Sequence, residues 1–179
     1  CRQILEYEPS SMVMLDIGEN YLYELEMFLR SSASKCETHF IFGSVTNEAK
    51  MEALFEKYRP QLVFHAAAHK HVPIMEDNID AAIVNNVLGT KIIADLSVKF
   101  DTENFILIST DKVVNPTSIM GRTKNIAEKY IQSLSKEIKT KFITVRFGNV
   151  LGSNGSVVPL FQKQIQRGGP VTITHPEMT

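Results

Sequence analysis

The chain has no tryptophan and only two cysteines, Cys1 and Cys36, among its 179 residues. Two cysteines outside any metal or redox spacing exclude a disulfide framework and fit a reducing compartment. Charge of either sign is not in excess. A formal net charge of -1 offers a nucleic acid or an anionic membrane surface nothing to attract. No uninterrupted apolar run reaches about 18 residues, so no bilayer-spanning segment is expected. No signal peptide pattern opens the chain. Internal repeats and low-complexity segments are also missing. What is there is ordinary for a soluble globular protein, with 44% hydrophobic and 22% charged residues. The length allows one domain, or one and the beginning of another. Both ends read as cut. "CRQILEYEP" is helical in pattern without a start signal, and "VTITHPEMT" stops straight after a strand-like run. The expectation is a fragment of a longer protein.

Strand-like and helix-like segments alternate. Strands are expected at 11–19, 38–45, 61–69, 104–109 and 141–150. Helices are expected at 20–32, 47–60 with Asn47 as cap, 75–100, 118–140 with Ser118 or Thr117 as cap, and 157–168. Residues Ile79, Ala82, Ile83, Asn86, Val87 and Thr90 fall along one face of the 75–100 helix. The strands are continuous apolar runs, as strands buried on both faces are. That points to a doubly wound parallel α/β sheet. The Gly/Ser/Asn-rich piece "GNVLGSNGS" closes the alternating pattern. The organisation expected is therefore a nucleotide-binding domain over 1–150 and the start of a substrate-binding region over 151–179.

Ligands of such sheets bind beyond the carboxyl ends of the strands. Asp16 is where a dinucleotide-binding fold places the acid that holds the adenosine ribose; it also reads as a strand-end acid opening a turn. An acid there disfavours a 2′-phosphate, so NAD is expected over NADP. The usual glycine-rich loop would lie about 20 residues before that acid, upstream of the first residue. "HAAAHKH" sets the small residues Ala66, Ala67 and Ala68 at a strand end, for close approach of a flat cofactor or for close helix packing. Its histidines have no metal spacing, and Lys70 and His71 are placed to meet an anion. In "STDK", Ser109, Thr110, Asp111 and Lys112 end a buried strand and put a hydroxyl, an acid and a base side by side. They read as a solvated ion pair or as acid–base machinery. Lys124 follows Met120 by one helical turn. Asn86 is polar in the middle of an apolar face and needs partners; it reads as a bracket for the active-site strands.

These motifs in this order, "FHAAAHKHVPIMEDN", "NNVLGT", "STDKVVNPTSIMGRTK" and "VRFGNVLGSNGSVVPLFQKQI", resemble the extended branch of the short-chain dehydrogenase/reductase superfamily. More narrowly they resemble the CapD-like polysaccharide biosynthesis proteins, nucleotide-sugar 4,6-dehydratases often acting on UDP-N-acetylglucosamine. The likeness covers nearly the whole chain. It implies a Rossmann-like sheet without its first strand and glycine-rich loop. In the order 3-2-1-4-5 that strand would lie at the centre, and its absence should leave two unpaired edges. It also implies an internal redox dehydration in which C4 is oxidised at the expense of NAD, C5 loses a proton, the C6 hydroxyl leaves as water and C6 is reduced.

The superfamily places tyrosine four residues before its lysine. Met120 stands there in this chain, as in some members of the subgroup, and a thioether has no titratable proton. The roles implied are Lys112 as C5 base and Asp111 as acid toward the C6 hydroxyl and as the group that handles the 4-hydroxyl proton, directly or through water. Thr110 hydrogen-bonds the 4-oxygen, and Lys124 holds the nicotinamide ribose. Asn149, Ser153 and Ser156 match the nucleotide-sugar region, with Lys70 and His71 beside it. Arg146 reads as structural. A UDP-sugar is the expected partner, no metal is expected, and a homo-oligomer is expected. A cytoplasmic location is expected too, with membrane attachment only through segments outside this chain. A nucleotide-sugar 4-epimerase or reductase, or an inactive cofactor-binding fragment, are the competing readings.

Overall fold

A computed structural model of the chain describes residues 1–31, 35–134, 138–148, 150 and 157–172. After a short α1 (Arg2–Leu5), strands and helices alternate: β1 (Ser11–Asp16), α2 (Glu19–Arg30), β2 (Glu37–Phe42), α3 (Glu48–Tyr58) and β3 (Leu62–His65). Then come α4 (Val72–Glu76), α5 (Ile79–Ala82), a π-helical turn (Ile83–Leu88), α6 (Gly89–Lys99) and β4 (Asn104–Thr110). A 3-10 turn (Asp111–Val113), α7 (Ile119–Leu134), β5 (Lys141–Phe147) and α8 (Val157–Gln166) complete the described elements. The chain divides into two compact units at Val145 and Arg146. The second contains α8, where the Gln164 side-chain amide holds Thr172 by accepting from its N–H at 3.1 Å and donating to its hydroxyl at 2.8 Å.

The strands form two sheets rather than one. β1 pairs with β2 in parallel, from Ser11 opposite Glu37 to Asp16 opposite Phe42. β3 pairs with β4 in parallel, from Leu62 opposite Asn104 to His65 opposite Leu107, and β5 lies beyond β4. No described strand joins β1 to β3. These are two parallel α/β half-sheets, each with an edge left unpaired among the described residues. The three-stranded half is covered on one face. Phe105 and Leu107 of β4 are fully buried with Met51 and Phe55 of α3, Ile93, Ala94 and Leu96 of α6 and Ile131 of α7. Each such large side chain contributes about 1.5–3 kcal/mol by leaving water. On the opposite face Leu62, Phe64 and Val145 are about half exposed. The strands thus have the composition of a sheet buried on both sides, while the described residues cover one.

Local chemistry explains most boundaries. Asn47 caps α3 by accepting from the Lys50 N–H at 3.1 Å, and Arg59 ends it in the left-handed region at φ 42. Ser118 caps α7 by accepting from the Gly121 N–H at 3.1 Å. The helix expected over 75–100 is not continuous. α4 ends at Glu76, and a new helix begins after Asn78, whose side chain turns back to donate to the Ile74 carbonyl at 2.8 Å. Within it the π-helical turn places one extra residue and rotates the remainder of the helix. Ala82, Asn85, Asn86 and Thr90 are buried, while Ile79 and Ile83, expected on that same face, are exposed. The segment Ile79–Lys99 is long and apolar enough to cross a membrane by length and composition, although charged and polar residues interrupt it. Half of it is buried inside the fold, and it packs on α3 and α7 as a core helix does.

Candidate active site

The carboxyl ends of the strands carry the residues singled out from the sequence. Asp16 ends β1; its Oδ1 accepts the Gly18 N–H at 2.7 Å, and its carbonyl accepts the Gly43 N–H at 2.9 Å. The side chain is thereby fixed at the lip of the two-stranded half, facing solvent. β3 stops at His65, so Ala66, Ala67 and Ala68 form a loop rather than the strand end expected. Ala67 packs on the core, and Lys70 and His71 are exposed just before α4.

Beneath that loop lies a buried polar bracket. Asn86 is fully buried in the π-helical turn. Its Oδ1 accepts the His69 N–H at 2.8 Å, and its Nδ2 donates to the His69 carbonyl at 3.1 Å and to Thr123 Oγ1 at 3.1 Å. One amide thus ties the loop after β3 to α7, as the bracket reading requires. Thr90 donates to the Asn86 carbonyl at 2.7 Å, so at 2.9 Å it accepts from His65 Nε2, which fixes the imidazole tautomer. Burial, then the nearby Lys124 cation, lowers the His65 pKa to about 3, and the ring stays neutral.

Lys124 is buried on α7 and donates from Nζ to the Ile108 carbonyl of β4 at 2.7 Å. Burial lowers its pKa to about 8, against the opposing pull of Glu128 one turn further on. Ser109, the next strand residue, is buried, and its Oγ is the one buried side-chain polar atom among the described residues without a hydrogen-bond partner. An orphaned hydroxyl on the residue after the one whose carbonyl holds Lys124, at the carboxyl end of a parallel strand, fits a site for the polar edge of a cofactor.

Thr110, Asp111 and Lys112 are arranged differently. Their backbone is gripped from below: Val113 is buried, and Asn125 of α7 donates to its carbonyl at 3.0 Å. Gly121 lies so close that a Cβ there would stand 2.6 Å from the Lys112 carbonyl oxygen. The Asp111 and Lys112 side chains project outward, at 58% and 42% exposure. Asp111 Oδ1 accepts from Thr110 Oγ1 at 2.9 Å and from Lys112 Nζ at 3.2 Å. Donation by Thr110, then by Lys112, holds the Asp111 carboxyl below its ordinary range, so it is ionised. Met120 is buried with Met75 and Ala82, joining α7 to α4 and α5. It is a packing residue.

The structure therefore brings Ser109, Thr110, Asp111, Lys112 and Lys124 to one strand end, with Asn86 beneath. Asn149, Ser153 and Ser156 lie outside the described residues. Three contributors were missed in the sequence. Glu76 of α4 accepts the Ile119 N–H at 2.9 Å and so caps α7 from outside. Asn125 and Gly121 fix the turn that bears Asp111. The glycine inside "MGRTK" was a usable signal for a close approach; the two polar contacts left none, because they join distant segments.

Over residues 1–179 the chain matches the family model described as "Polysaccharide biosynthesis protein", and it belongs to that family. The fold is part of a Rossmann-type parallel α/β domain, shared with the solved structures it matches. Among its relatives are the probable polysaccharide biosynthesis protein EpsC of Bacillus subtilis, 49% identical over 100% of this chain and 30% of that protein. The inverting UDP-N-acetylglucosamine 4,6-dehydratase of Campylobacter jejuni is 32% identical over 94% of this chain and 50% of that protein. The chain thus spans about a third to a half of the curated relatives it matches. Of solved structures, Pen from Bacillus thuringiensis superposes with a TM-score of 0.90 at 29% identity, covering 99% of this chain and 56% of that one. A Thermus thermophilus UDP-glucose 4-epimerase in complex with NAD shares the fold, with a TM-score of 0.72 at 18% identity over 90% of this chain and 64% of that one.

Proposed function

We propose that the protein bearing this chain is an NAD-dependent nucleotide-sugar 4,6-dehydratase. It converts a UDP-sugar, UDP-N-acetylglucosamine first among them, to a 4-keto-6-deoxy sugar for surface polysaccharide or capsule. The observation that carries the reading is the Asp111–Lys112 pair at 3.2 Å, held out from a pinned turn next to buried Lys124. An epimerase or reductase needs a proton shuttle at C4 but no base at C5, and here a carboxylate and an amine stand side by side.

When bound, the nicotinamide supplies reversible two-electron chemistry, with oxidation at C4 and reduction at C6. Asp16, Ala66, Ala67 and Ala68 would line its adenosine side, and Ser109 and Lys124 its nicotinamide ribose, with Asn86 setting the distance between loop and helix. Thr110 hydrogen-bonds the 4-oxygen. Lys112 removes the C5 proton, which the 4-keto group acidifies, and Asp111 protonates the departing C6 hydroxyl. General acid–base help of this kind contributes about 10²–10⁴-fold each. Lys70 and His71 are close enough in sequence to meet the sugar or diphosphate, with Asn149, Ser153 and Ser156.

On this reading 1–150 is the cofactor domain and 151–179 opens the sugar-binding region. The assembly is a homo-oligomer, and it works in the cytoplasm, with any membrane anchor outside this chain. The isolated chain, its sheet in two halves, has little or no activity. Incubating the full-length protein with UDP-N-acetylglucosamine and NAD tests the proposal by mass spectrometry. Loss of one water with a 4-keto group is expected. A C4 epimer of unchanged mass would favour the epimerase reading, for which the shared fold is the support.

A further inference from the structure

The two-stranded half carries an exposed apolar patch at its carboxyl end. Ile17, Tyr21 and Phe42 are large side chains left more than half exposed there. Large apolar side chains gathered at one lip mark a contact surface, as scattered ones do not. Here they surround a carboxylate. In the parallel register Phe42 stands opposite Asp16, and register partners on neighbouring strands project to the same face. Tyr21 reaches the same carboxylate from the first turn of α2. A Cβ on Gly18 would stand 2.5 Å from Tyr21 Cδ2, 3.2 Å from Tyr21 Cε2 and 3.2 Å from Asp16 Oδ1. The edge of the ring therefore lies over Gly18, and the absence of a side chain there leaves it room.

The chemistry of the patch selects a class of ligand. Asp16 Oδ1 is taken up by the Gly18 N–H at 2.7 Å, and Oδ2 has no hydrogen bond among the described residues. A carboxylate only accepts, so the open oxygen calls for a hydroxyl donor and repels a phosphate. The two rings call for a flat partner. A heteroaromatic base joined to a ribose diol has both parts.

We propose that Tyr21 and Phe42 are cofactor-binding residues, an aromatic platform that holds the adenine base of the dinucleotide while Asp16 holds the ribose attached to it. The proposal rests on the cofactor reading, which gives the two-stranded half only Asp16. It adds the side chains that grip the base and the force by which they do so. Stacking reads no hydrogen-bond pattern, because every base has a π-face. The rings thus supply affinity, and the carboxylate supplies the preference for a ribose without phosphate.

Binding of ADP-ribose to the full-length protein, measured by calorimetry, tests the platform without turnover. This ligand carries the adenosine and no nicotinamide. Tyr21→Ala and Phe42→Ala should each weaken it by about 5–150-fold, the range for loss of one base–aromatic stack. Tyr21→Phe should bind as wild type does, since the ring stays, and Tyr21→Leu should lose most of what Tyr21→Ala loses. Both rings are exposed, so melting temperatures should move little. Unchanged affinity in either alanine variant would overturn the proposal; joined to a lower melting temperature, it would make that ring a seat for another part of the protein. Equal weakening in Tyr21→Phe and Tyr21→Ala would overturn it as well, because the hydroxyl and not the ring would then act. If wild type binds neither ADP-ribose nor NAD, the cofactor reading falls first and the platform with it.

Discussion

Two sets of polar side chains meet at the end of β4, and they are built on opposite plans. The lower set, His65, Asn86, Thr90, Thr123 and Lys124, is buried. Its amide and hydroxyl members are satisfied by named partners within the protein, and its histidine is held neutral. The upper set, Thr110, Asp111 and Lys112, has a pinned backbone, but its charged side chains reach into solvent. Buried polar groups are costly unless paired, so a fully satisfied lower set fixes geometry. Exposed groups cost little and remain available to a ligand. The division gives rigidity to one layer and, on the proposed function, leaves proton chemistry to the other.

Substitutions in the two layers should therefore fail in different ways. The largest effect is expected at Lys112: Lys112→Ala in the full-length protein should lose about 10²–10⁴-fold in turnover with unchanged thermal stability, measured by product formation beside a melting curve. In the lower layer, Asn86→Ala should do the reverse. It strands the His69 N–H and carbonyl, and it should cost about 2–3 kcal/mol of stability, read from urea unfolding, before any effect on chemistry is seen. Stability loss in Lys112→Ala, or none in Asn86→Ala, would break the comparison.

A pH measurement sharpens it. The Lys124 pKa is lowered from 10.5 in the unfolded chain to about 8 in the folded one. Between those values the unfolded chain binds a proton that the folded chain does not, so stability rises with pH there. Below pH 8 both states are protonated, and the burial penalty is present in full. Wild type should gain stability relative to Lys124→Met between pH 8 and 10.5, and a constant difference in urea midpoints would contradict the burial. The smallest effect is expected at Met120. Met120→Leu, a volume-conserving change in an apolar cluster, should cost under about 1.5 kcal/mol and leave turnover within a few-fold, measured in the same assays.

Much of this was legible in the sequence, for physical reasons that differ by element. The strands were legible because continuous apolar runs ending in polar residues have few other meanings. The Asn47 and Ser118 caps were legible because a side-chain acceptor ahead of a helix acts locally. Asn86 announced itself as a polar residue on an apolar face. The π-helical turn did not, since periodicity assumes a regular helix; Ile79 and Ile83 were assigned to a face they do not share with the buried residues. The end of β3 at His65 was also hidden, because three alanines suit a strand end and a loop equally. Glu76 and Asn125 act across segments far apart in sequence, and nothing local marks them. The exposed layer was easier to find than the buried one, since "STDK" keeps its polar groups in consecutive residues.

The central claim is that Lys112 works at C5 in a site that lacks the tyrosine. The direct measurement is deuterium incorporation at C5 of the product, with full-length wild type and Lys112→Ala incubated with UDP-N-acetylglucosamine in deuterated water and read by NMR. The account predicts a 4-keto-6-deoxy product with deuterium at C5 from wild type, and neither product nor C5 exchange from Lys112→Ala. Undiminished C5 exchange in Lys112→Ala would contradict it.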